Sequence, residues 1–153
     1  MVREKKERLV IGLMSGTSAD GIDAVLTRIT GNGLDIRVEE QAFLFLPFPA
    51  EVHERIIRVA GGSYGGAEEL CKLSNYLGQQ YAKACVMLCE QAGIATADVD
   101  LAGNHGQTVW HMPKTAEYLK AQVRGTLQIG EDAYIAEALG CPVVGDFRVR
   151  DMA

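Results

Sequence analysis

The sequence predicts an α/β domain built on a mixed sheet whose first three strands form an antiparallel meander. A nearly all-apolar run from Arg8 to Met14 is typical of a central strand. The next segment, Gly21 to Thr30, is rich in β-branched residues and alternates roughly between apolar and polar positions. Gly31-Asn32-Gly33 is a strong turn signal, after which Leu34 to Leu46 alternates again.

Helices and short strands are predicted in turn after Pro47-Phe48-Pro49 closes the meander. Apolar residues recur at helical spacing from Ala50 to Ala60 and from Ala67 to Ala92, on either side of a glycine-rich break. The later segments are predicted as a strand, a second short strand, a helix and a buried strand: Asp100 to Asn104, Thr126 to Ile129, Glu131 to Leu139 and Cys141 to Gly145. Three meander strands followed by helix, strand, helix and strand is the element order of the ribonuclease-H-like fold, from which actin-like ATPase domains are built. Glu131 is expected to be a helix-start residue.

Composition and charge favour a single reduced domain in the cytoplasm. The chain has 153 residues, a net charge of -5 and a pI of about 5.2, which disfavours a nucleic-acid partner. No segment approaches the roughly 18 apolar residues of a membrane span, and the N-terminal apolar run is too short for a signal peptide. Cys85 and Cys89 lie one helical turn apart among apolar neighbours, which indicates core packing rather than a metal site.

A loop of small and hydroxyl residues follows the first strand, in the segment SGTSADGID from Ser15 to Asp23. Small residues let a backbone approach a ligand, and their N–H and hydroxyl groups can donate to phosphate oxygens. Asp20 and Asp23 are candidates to hold the metal ion that accompanies a nucleotide. A P-loop is excluded because Ile22-Asp23 stands where that motif needs Lys-Ser/Thr. The residues alone also allow an ordinary polar hairpin loop.

A second polar segment, NHGQTVWH, runs from Asn104 to His111 and is expected to follow the end of a strand, where open α/β sheets bind ligands. Amide and hydroxyl side chains suit sugar hydroxyls, and Trp110 can either stack on a sugar ring or pack in the core. The two histidines are a weak metal signal, and hydrogen-bonded structural roles are favoured for them.

Two further segments carry polar residues at strand positions. Thr126 and Gln128 share one face of a short strand, for which a plain edge strand is the alternative. Asp146 directly follows the apolar residues of the last predicted strand, a setting suited to a general base beside Arg148 or Arg150. A solvated cap with surface ion pairs explains the same residues, and Asp151 is a second candidate base.

Four motifs in order, MSGTSADGID, NHGQTVWH, TLQIG and DFR, resemble those of the anhydro-N-acetylmuramic acid kinases, sugar kinases of peptidoglycan recycling. The resemblance extends from Ile11 to Ala153. It implies ATP-dependent conversion of 1,6-anhydro-N-acetylmuramic acid to N-acetylmuramic acid 6-phosphate, with ATP and Mg²⁺ as cofactors. It also implies a small-molecule amino-sugar substrate and a possible homodimer.

The resemblance also implies roles for individual residues. The residues expected against the ATP phosphates are Gly16, Thr17, Ser18, Ala19, Asp20, Gly21, Ile22 and Asp23. Those expected to line the sugar site are Asn104, His105, Gln107, Thr126, Gln128 and Arg148. Asp146 is the expected catalytic base. Many members of the wider superfamily carry an aspartate just before the phosphate loop, but Leu13 and Met14 stand there, so Asp20 and Asp23 are the candidate metal ligands.

In the family a glycine-rich segment and a second domain follow the DFR motif. The chain, residues 1–153, is therefore expected to be the first domain of a two-domain sugar kinase and to be inactive, or nearly so, when isolated. A non-catalytic sugar-binding domain and an actin-like regulatory module are the alternatives.

Overall fold

The computed structural model describes residues 6–63 and 65–153. Its strands are β1 (Glu7–Ser15), β2 (Gly21–Thr30), β3 (Arg37–Pro47), β4 (Leu101–Tyr118), β5 (Ala121–Ile129) and β6 (Val143–Val144). Its α-helices are α1 (Ala50–Ala60), α2 (Ala67–Ala92), α3 (Asp132–Leu139) and α4 (Phe147–Met152). Single 3₁₀ turns span Gly33–Asp35 and Thr96–Asp98.

The strands form one mixed sheet in the order β3-β2-β1-β4-β5. The first three strands pair antiparallel, β4 runs parallel to β1, and the short β6 pairs in parallel with the beginning of β4. Strand β5 folds back antiparallel along the outer half of β4. The α/β class, the three-strand meander and the flanking helices predicted from the sequence are confirmed, and the arrangement is of the actin-like ATPase type.

The hydrophobic core lies between one face of the sheet and helices α1, α2 and α3. Side chains at alternate positions of β1 and β2 point into it, including Ile11, Leu13 and Ile22. From the helices, the buried residues include Ile56, Leu77, Tyr81, Leu88 and Ile135. None of the helices in the described ranges is long and apolar enough to cross a bilayer.

The opposite face of the sheet is open. An apolar groove of about 520 Å³ runs along it, lined by residues that include Val10, Met14, Val25 and Phe43. Helix α4 lies at one end of this groove, where the Phe147 ring contacts the backbone of β4 at Gly103. The helix-covered face therefore holds the strands in place, while the open face leaves side chains of β1, β2 and β4 accessible.

Several predicted boundaries match the structure. Strand β2 and helices α1 and α2 have the predicted limits, and β1 extends one residue beyond the prediction at each end. Strand β3 begins at Arg37 rather than Leu34 because Gly33–Asp35 forms a 3₁₀ turn. Glu131 is confirmed as the N-cap of α3, where its Oε1 accepts a hydrogen bond from the Ala133 N–H at 3.4 Å.

The expectation that the NHGQTVWH segment follows the end of a strand is wrong. Strand β4 continues through the segment as far as Tyr118, so these polar side chains lie within the sheet. Gly106 has φ +70°, and the β4 ladder with β5 shifts register between Thr108 and Trp110. Such irregularities allow a strand to stay paired with its neighbour even though its residues do not alternate regularly between the two faces of the sheet.

The C-terminal segment also differs from its prediction. The expected buried strand Cys141 to Gly145 is reduced to the two residues of β6, of which Val144 is exposed. Helix α4, which begins directly after Asp146, was not predicted. The reason is its length, because six residues are too few to show a helical period.

Candidate functional site

A tight turn follows β1 at the predicted phosphate loop. The Ala19 N–H donates to the Gly16 carbonyl at 3.1 Å, and Ala19 is fully buried with φ +52°. Thr17 and Ser18, at the tip of the turn, are exposed. Residues Gly21 and Ile22 begin β2 and are buried, so they form the inner end of the turn rather than its exposed surface.

Hydrogen-bond donors from other segments of the chain bind several carbonyl groups of this turn. Gln107 Nε2 donates to the Gly16 carbonyl at 3.1 Å, and His53 Nδ1 donates to that of Ala19 at 3.2 Å. The Phe48 N–H donates to the Asp20 carbonyl at 2.9 Å. Among the described residues, the Thr17 and Ser18 N–H groups donate no hydrogen bond to another backbone group. The exposed side of the turn therefore presents donors, which suits an anion.

The two aspartates near the turn are not part of a preformed metal site. Asp20 Oδ1 accepts a hydrogen bond from Ser18 Oγ at 2.7 Å, while Asp23 lies exposed on β2 opposite Met14. Within residues 6–63 and 65–153, no three His, Cys, Asp or Glu side chains are grouped as metal ligands. Mg²⁺ is commonly bound by one or two carboxylates together with substrate phosphates and waters, so a single aspartate here fits that ion.

A strip of polar side chains crosses the outer half of β4 and β5. Thr108 lies opposite Gln128, and His111 lies opposite Thr126. Gln128 Nε2 donates to Thr126 Oγ1 at 2.7 Å and to Thr108 Oγ1 at 3.1 Å, and His111 Nδ1 donates to Thr126 Oγ1 at 3.1 Å. Gln128 Oε1 is buried and has no hydrogen-bond donor among the described residues. That acceptor can be satisfied by a water or a ligand hydroxyl.

Trp110 does not belong to this strip. It lies opposite Leu127, and adjacent strand residues point to opposite faces of a sheet, so it lies on the face away from Thr126. Its half-exposed ring borders a separate cavity of about 390 Å³ together with Val59 and Leu70. The Trp110 side chain is therefore neither core nor part of the polar strip, although the Trp110 carbonyl accepts a hydrogen bond from Thr126 Oγ1 at 3.3 Å.

Two of the residues predicted to line the sugar site are buried, and their amide groups are hydrogen-bonded to other groups of the protein. Asn104 is 2% exposed, and its Nδ2 donates to Asp132 Oδ1 at 2.7 Å while its Oδ1 accepts from the Gly106 N–H at 3.0 Å. Gln107 is 1% exposed, and its Oε1 accepts from Ser15 Oγ at 2.6 Å. These amides hold the backbone and neighbouring side chains of the site in place.

Asp146 lies at the N-cap of α4 with a left-handed backbone, φ +56° and ψ +30°. It borders a small cavity of about 30 Å³, enough for one water, together with Asp132, His105 and Gln128. His105 Nδ1 donates to the Gly106 carbonyl at 3.0 Å, which leaves Nε2 to accept from Arg148 Nε at 3.3 Å. The structure thus brings Asp146, Gln128 and Arg148 together around His105 of β4.

Asp132 is a site residue that sequence reasoning missed. Burial raises the pKa of its carboxyl group above the usual value, the Asn104 hydrogen bond opposes that shift, and the negative charges of Asp146 and Glu131 add to it. Its Oδ2 also lies against Gly145, since a Cβ at that glycine would be 2.2 Å away. An aspartate in the first turn of a helix is ordinarily explained by the helix dipole, so its position gave no functional signal.

The fold and the site together define a domain of the actin-like ATPase type, with a donor-rich turn after β1 and a polar strip on the adjacent parallel strand. The model of the family described as anhydro-N-acetylmuramic acid kinase matches residues 8–153. This chain belongs to the anhydro-N-acetylmuramic acid kinase family.

Relatives of the same name support this assignment over almost the whole chain. The protein from Caldanaerobacter subterraneus subsp. tengcongensis is 47% identical over 152 residues, and that from Salinibacter ruber is 38% identical over 152 residues, in each case 99% of this chain. The protein from Trichormus variabilis is 43% identical over 145 residues, 94% of this chain. The chain spans 38%, 38% and 36% of the length of these three relatives.

Proposed function

We propose that this chain is the first domain of a two-domain kinase that uses ATP to convert 1,6-anhydro-N-acetylmuramic acid to N-acetylmuramic acid 6-phosphate. The observation that carries the proposal is the Gly16–Ala19 turn, whose Gly16 and Ala19 carbonyls accept hydrogen bonds from Gln107 and His53 while the Thr17 and Ser18 N–H groups donate to no backbone group of the described residues. The turn lies at the end of β1, directly beside the strand that carries the polar strip.

In this proposal the segment from Gly16 to Asp23 lies against the phosphates of ATP. The backbone N–H groups and the side-chain hydroxyls of Thr17 and Ser18 donate to phosphate oxygens. Asp20 or Asp23 would supply a carboxylate to Mg²⁺. The ion, when bound, neutralises charge on the transferring phosphoryl group.

The sugar lies along the polar strip and the neighbouring end of β4. His105, Thr126, Gln128 and Arg148 are proposed to line it, with Asn104 supporting them from the buried side. The unsatisfied Oε1 of Gln128 favours a ligand with hydroxyl or amide donors, since a buried acceptor without a donor costs free energy.

Asp146 is proposed as the general base. Its carboxylate takes a proton from a water whose oxygen attacks the anomeric carbon of the sugar. A new C–O bond forms at that carbon, and the bond from it to the bridging oxygen breaks. The freed 6-oxygen then bonds to the γ-phosphorus of ATP, the bond from that phosphorus to the β–γ bridging oxygen breaks, and ADP leaves. The water-sized cavity between Asp146 and Gln128 supports this assignment, because a polar cavity of that size can position a single water.

The remaining contacts to ATP are proposed to come from a second domain in a protein of the relatives' length. Because ATP is the phosphoryl donor, the reaction is placed in the cytoplasm. The homodimer implied by the family is proposed for the complete protein, and sedimentation of that protein tests it.

The test is a product assay with Mg-ATP and 1,6-anhydro-N-acetylmuramic acid, read by mass spectrometry of the 6-phosphate. Two proteins are compared: the isolated chain, and a hybrid in which residues 1–153 replace the aligned segment of the Caldanaerobacter relative. The proposal expects product from the hybrid and little or none from the isolated chain. An inactive hybrid that is folded would contradict the kinase assignment. Sugar binding by the chain without any response to ATP would favour a non-catalytic sugar-binding domain.

A further inference from the structure

We propose that Gln107 is a positioning residue for the phosphate-binding turn and governs the affinity for ATP rather than for the sugar. The inference rests on the function proposed above for the Gly16–Ala19 turn. It assigns to Gln107 a role different from the sugar contact that its position in the NHGQTVWH segment suggests. Its support is a buried set of hydrogen bonds between β4 and the end of β1.

Both ends of the Gln107 amide are occupied at the base of the turn. Nε2 donates to the Gly16 carbonyl at 3.1 Å and to the Thr108 carbonyl at 3.2 Å, while Oε1 accepts from Ser15 Oγ at 2.6 Å. With 1% of its surface exposed, Gln107 has no face left for a substrate. An uncharged amide that is buried and fully bonded fixes the groups around it.

The sheet explains why this side chain points inward. Ser15 pairs with Gln107 in the parallel β1–β4 ladder, after a register shift between Leu13 and Ser15. The left-handed Gly106 directly before Gln107 lets β4 turn its next side chain toward the covered face. The neighbouring Thr108 lies opposite Gln128 on the polar strip. Of these two consecutive residues, Gln107 therefore contacts the turn after β1, and Thr108 belongs to the polar strip.

The hydrogen bond to Gly16 matters because that carbonyl also closes the turn by accepting from the Ala19 N–H. Fixing the Gly16 carbonyl fixes the peptide plane between Gly16 and Thr17, and with it the direction of the Thr17 N–H. Without Gln107, the turn keeps its anchors at Ala19 and Asp20 but loses the one at its first residue. The expected result is a looser phosphate site on an unchanged sheet.

Hydrogen exchange on the isolated chain tests the structural half of the proposal. Gln107→Met keeps the length of the side chain and removes its hydrogen bonds. The Ala19 amide, which donates to the Gly16 carbonyl, is expected to exchange about ten-fold faster, as expected for the loosening of a buried hydrogen bond. Amides of α2 serve as the reference for global opening and should not change. The matched control, Gln128→Met, should leave the turn unaffected.

Unchanged exchange at the turn in Gln107→Met would overturn the proposal. If that variant does not fold, Ser15→Ala replaces it, because it removes the 2.6 Å contact to Gln107 and the alternative contact to the Gly21 carbonyl. Faster local exchange of the Ala19 amide in Ser15→Ala supports the proposal, and its absence overturns it.

Kinetics of the hybrid enzyme test the functional half. In Gln107→Met the KM for ATP is expected to rise about ten-fold while the KM for the sugar stays within about two-fold. Gln128→Met is expected to show the opposite pattern. A rise confined to the sugar KM in Gln107→Met would overturn the assignment. If the hybrid has no activity at all, the kinase proposal fails, but the exchange experiment still decides whether Gln107 positions the turn.

Discussion

Gly130 lies directly against the ring of Tyr81, so closely that a Cβ at position 130 would be 2.5 Å from Tyr81 Cε2. Gly130 joins β5 to α3 and has φ +122°, while Tyr81 is fully buried on α2. The Gly130 N–H donates to Ser74 Oγ at 3.1 Å, also on α2. The end of the polar strip is therefore packed against the core helix through a position where only glycine fits.

Gly130→Ala is expected to destabilise the chain by about 2–3 kcal/mol, because the added methyl group overlaps the Tyr81 ring and the backbone conformation is one that alanine rarely adopts. Urea denaturation measures the change. Gly125→Ala is the matched control, since a Cβ there would meet no atom within 4 Å. Equal stability of the two variants would show that the close packing at Gly130 does not constrain the fold.

Replacing Leu119-Lys120 by Asn-Gly is expected to stabilise the chain by about 1 kcal/mol. These two residues form the turn between β4 and β5, with φ +50° and +64°, a conformation that Asn-Gly adopts with little strain. Chemical denaturation of the double variant and of Leu119→Asn alone measures the gain, with the single change giving the smaller one. A loss of stability in the double variant would contradict the turn geometry.

Asp132→Asn is expected to raise stability at pH 7 and to have no such effect at pH 3. Since burial raises the pKa of Asp132 in the folded chain, folding favours its protonated form. The carboxyl group therefore costs no stability below its unfolded pKa and costs progressively more as pH rises through its folded pKa. Asparagine keeps an acceptor for Asn104 without the charge. Thermal unfolding of both proteins from pH 3 to 7 checks this, and a difference that shrinks as pH rises would contradict it.

Thiol reactivity should distinguish the four cysteines. Burial raises the pKa of Cys85 to about 12 and raises that of Cys89, so neither should react with a disulfide reagent at pH 8 in the folded chain. Cys71 is exposed and should react first, and Cys71→Ser should remove the fast phase. A fast reaction that persists in that variant would show that a second thiol is accessible.

The helices and strands that were predicted correctly are those whose ends are marked by clear sequence signals. Helices α1 and α2 are amphipathic and bounded by proline or glycine, and β2 is bounded by Gly21 and Gly31, so their limits were predicted correctly. The β4–β5 hairpin was missed because Leu119-Lys120 carries no turn signal. Without a visible turn, the segment after Asn104 could not be distinguished from a loop.

The sequence predicted which segments contribute to the candidate site, but not the directions in which their side chains point. The donor-rich turn at Gly16–Ala19 followed from composition alone. Whether Asn104 and Gln107 face a ligand depends on the left-handed Gly106 and the register shifts of β4, which change the alternation that sequence reasoning assumes. Asp132 was missed because only the tertiary structure brings α3 against Asn104.

Product formation by the hybrid enzyme carrying Asp146→Asn, with Asp151→Asn as the matched control, decides whether Asp146 is the general base. Asp146→Asn is expected to lower kcat by about 10²–10⁴-fold, the usual contribution of a general base, while Asp151→Asn retains activity. Full activity in Asp146→Asn, or an equal loss in both variants, would contradict the assignment of the base to Asp146.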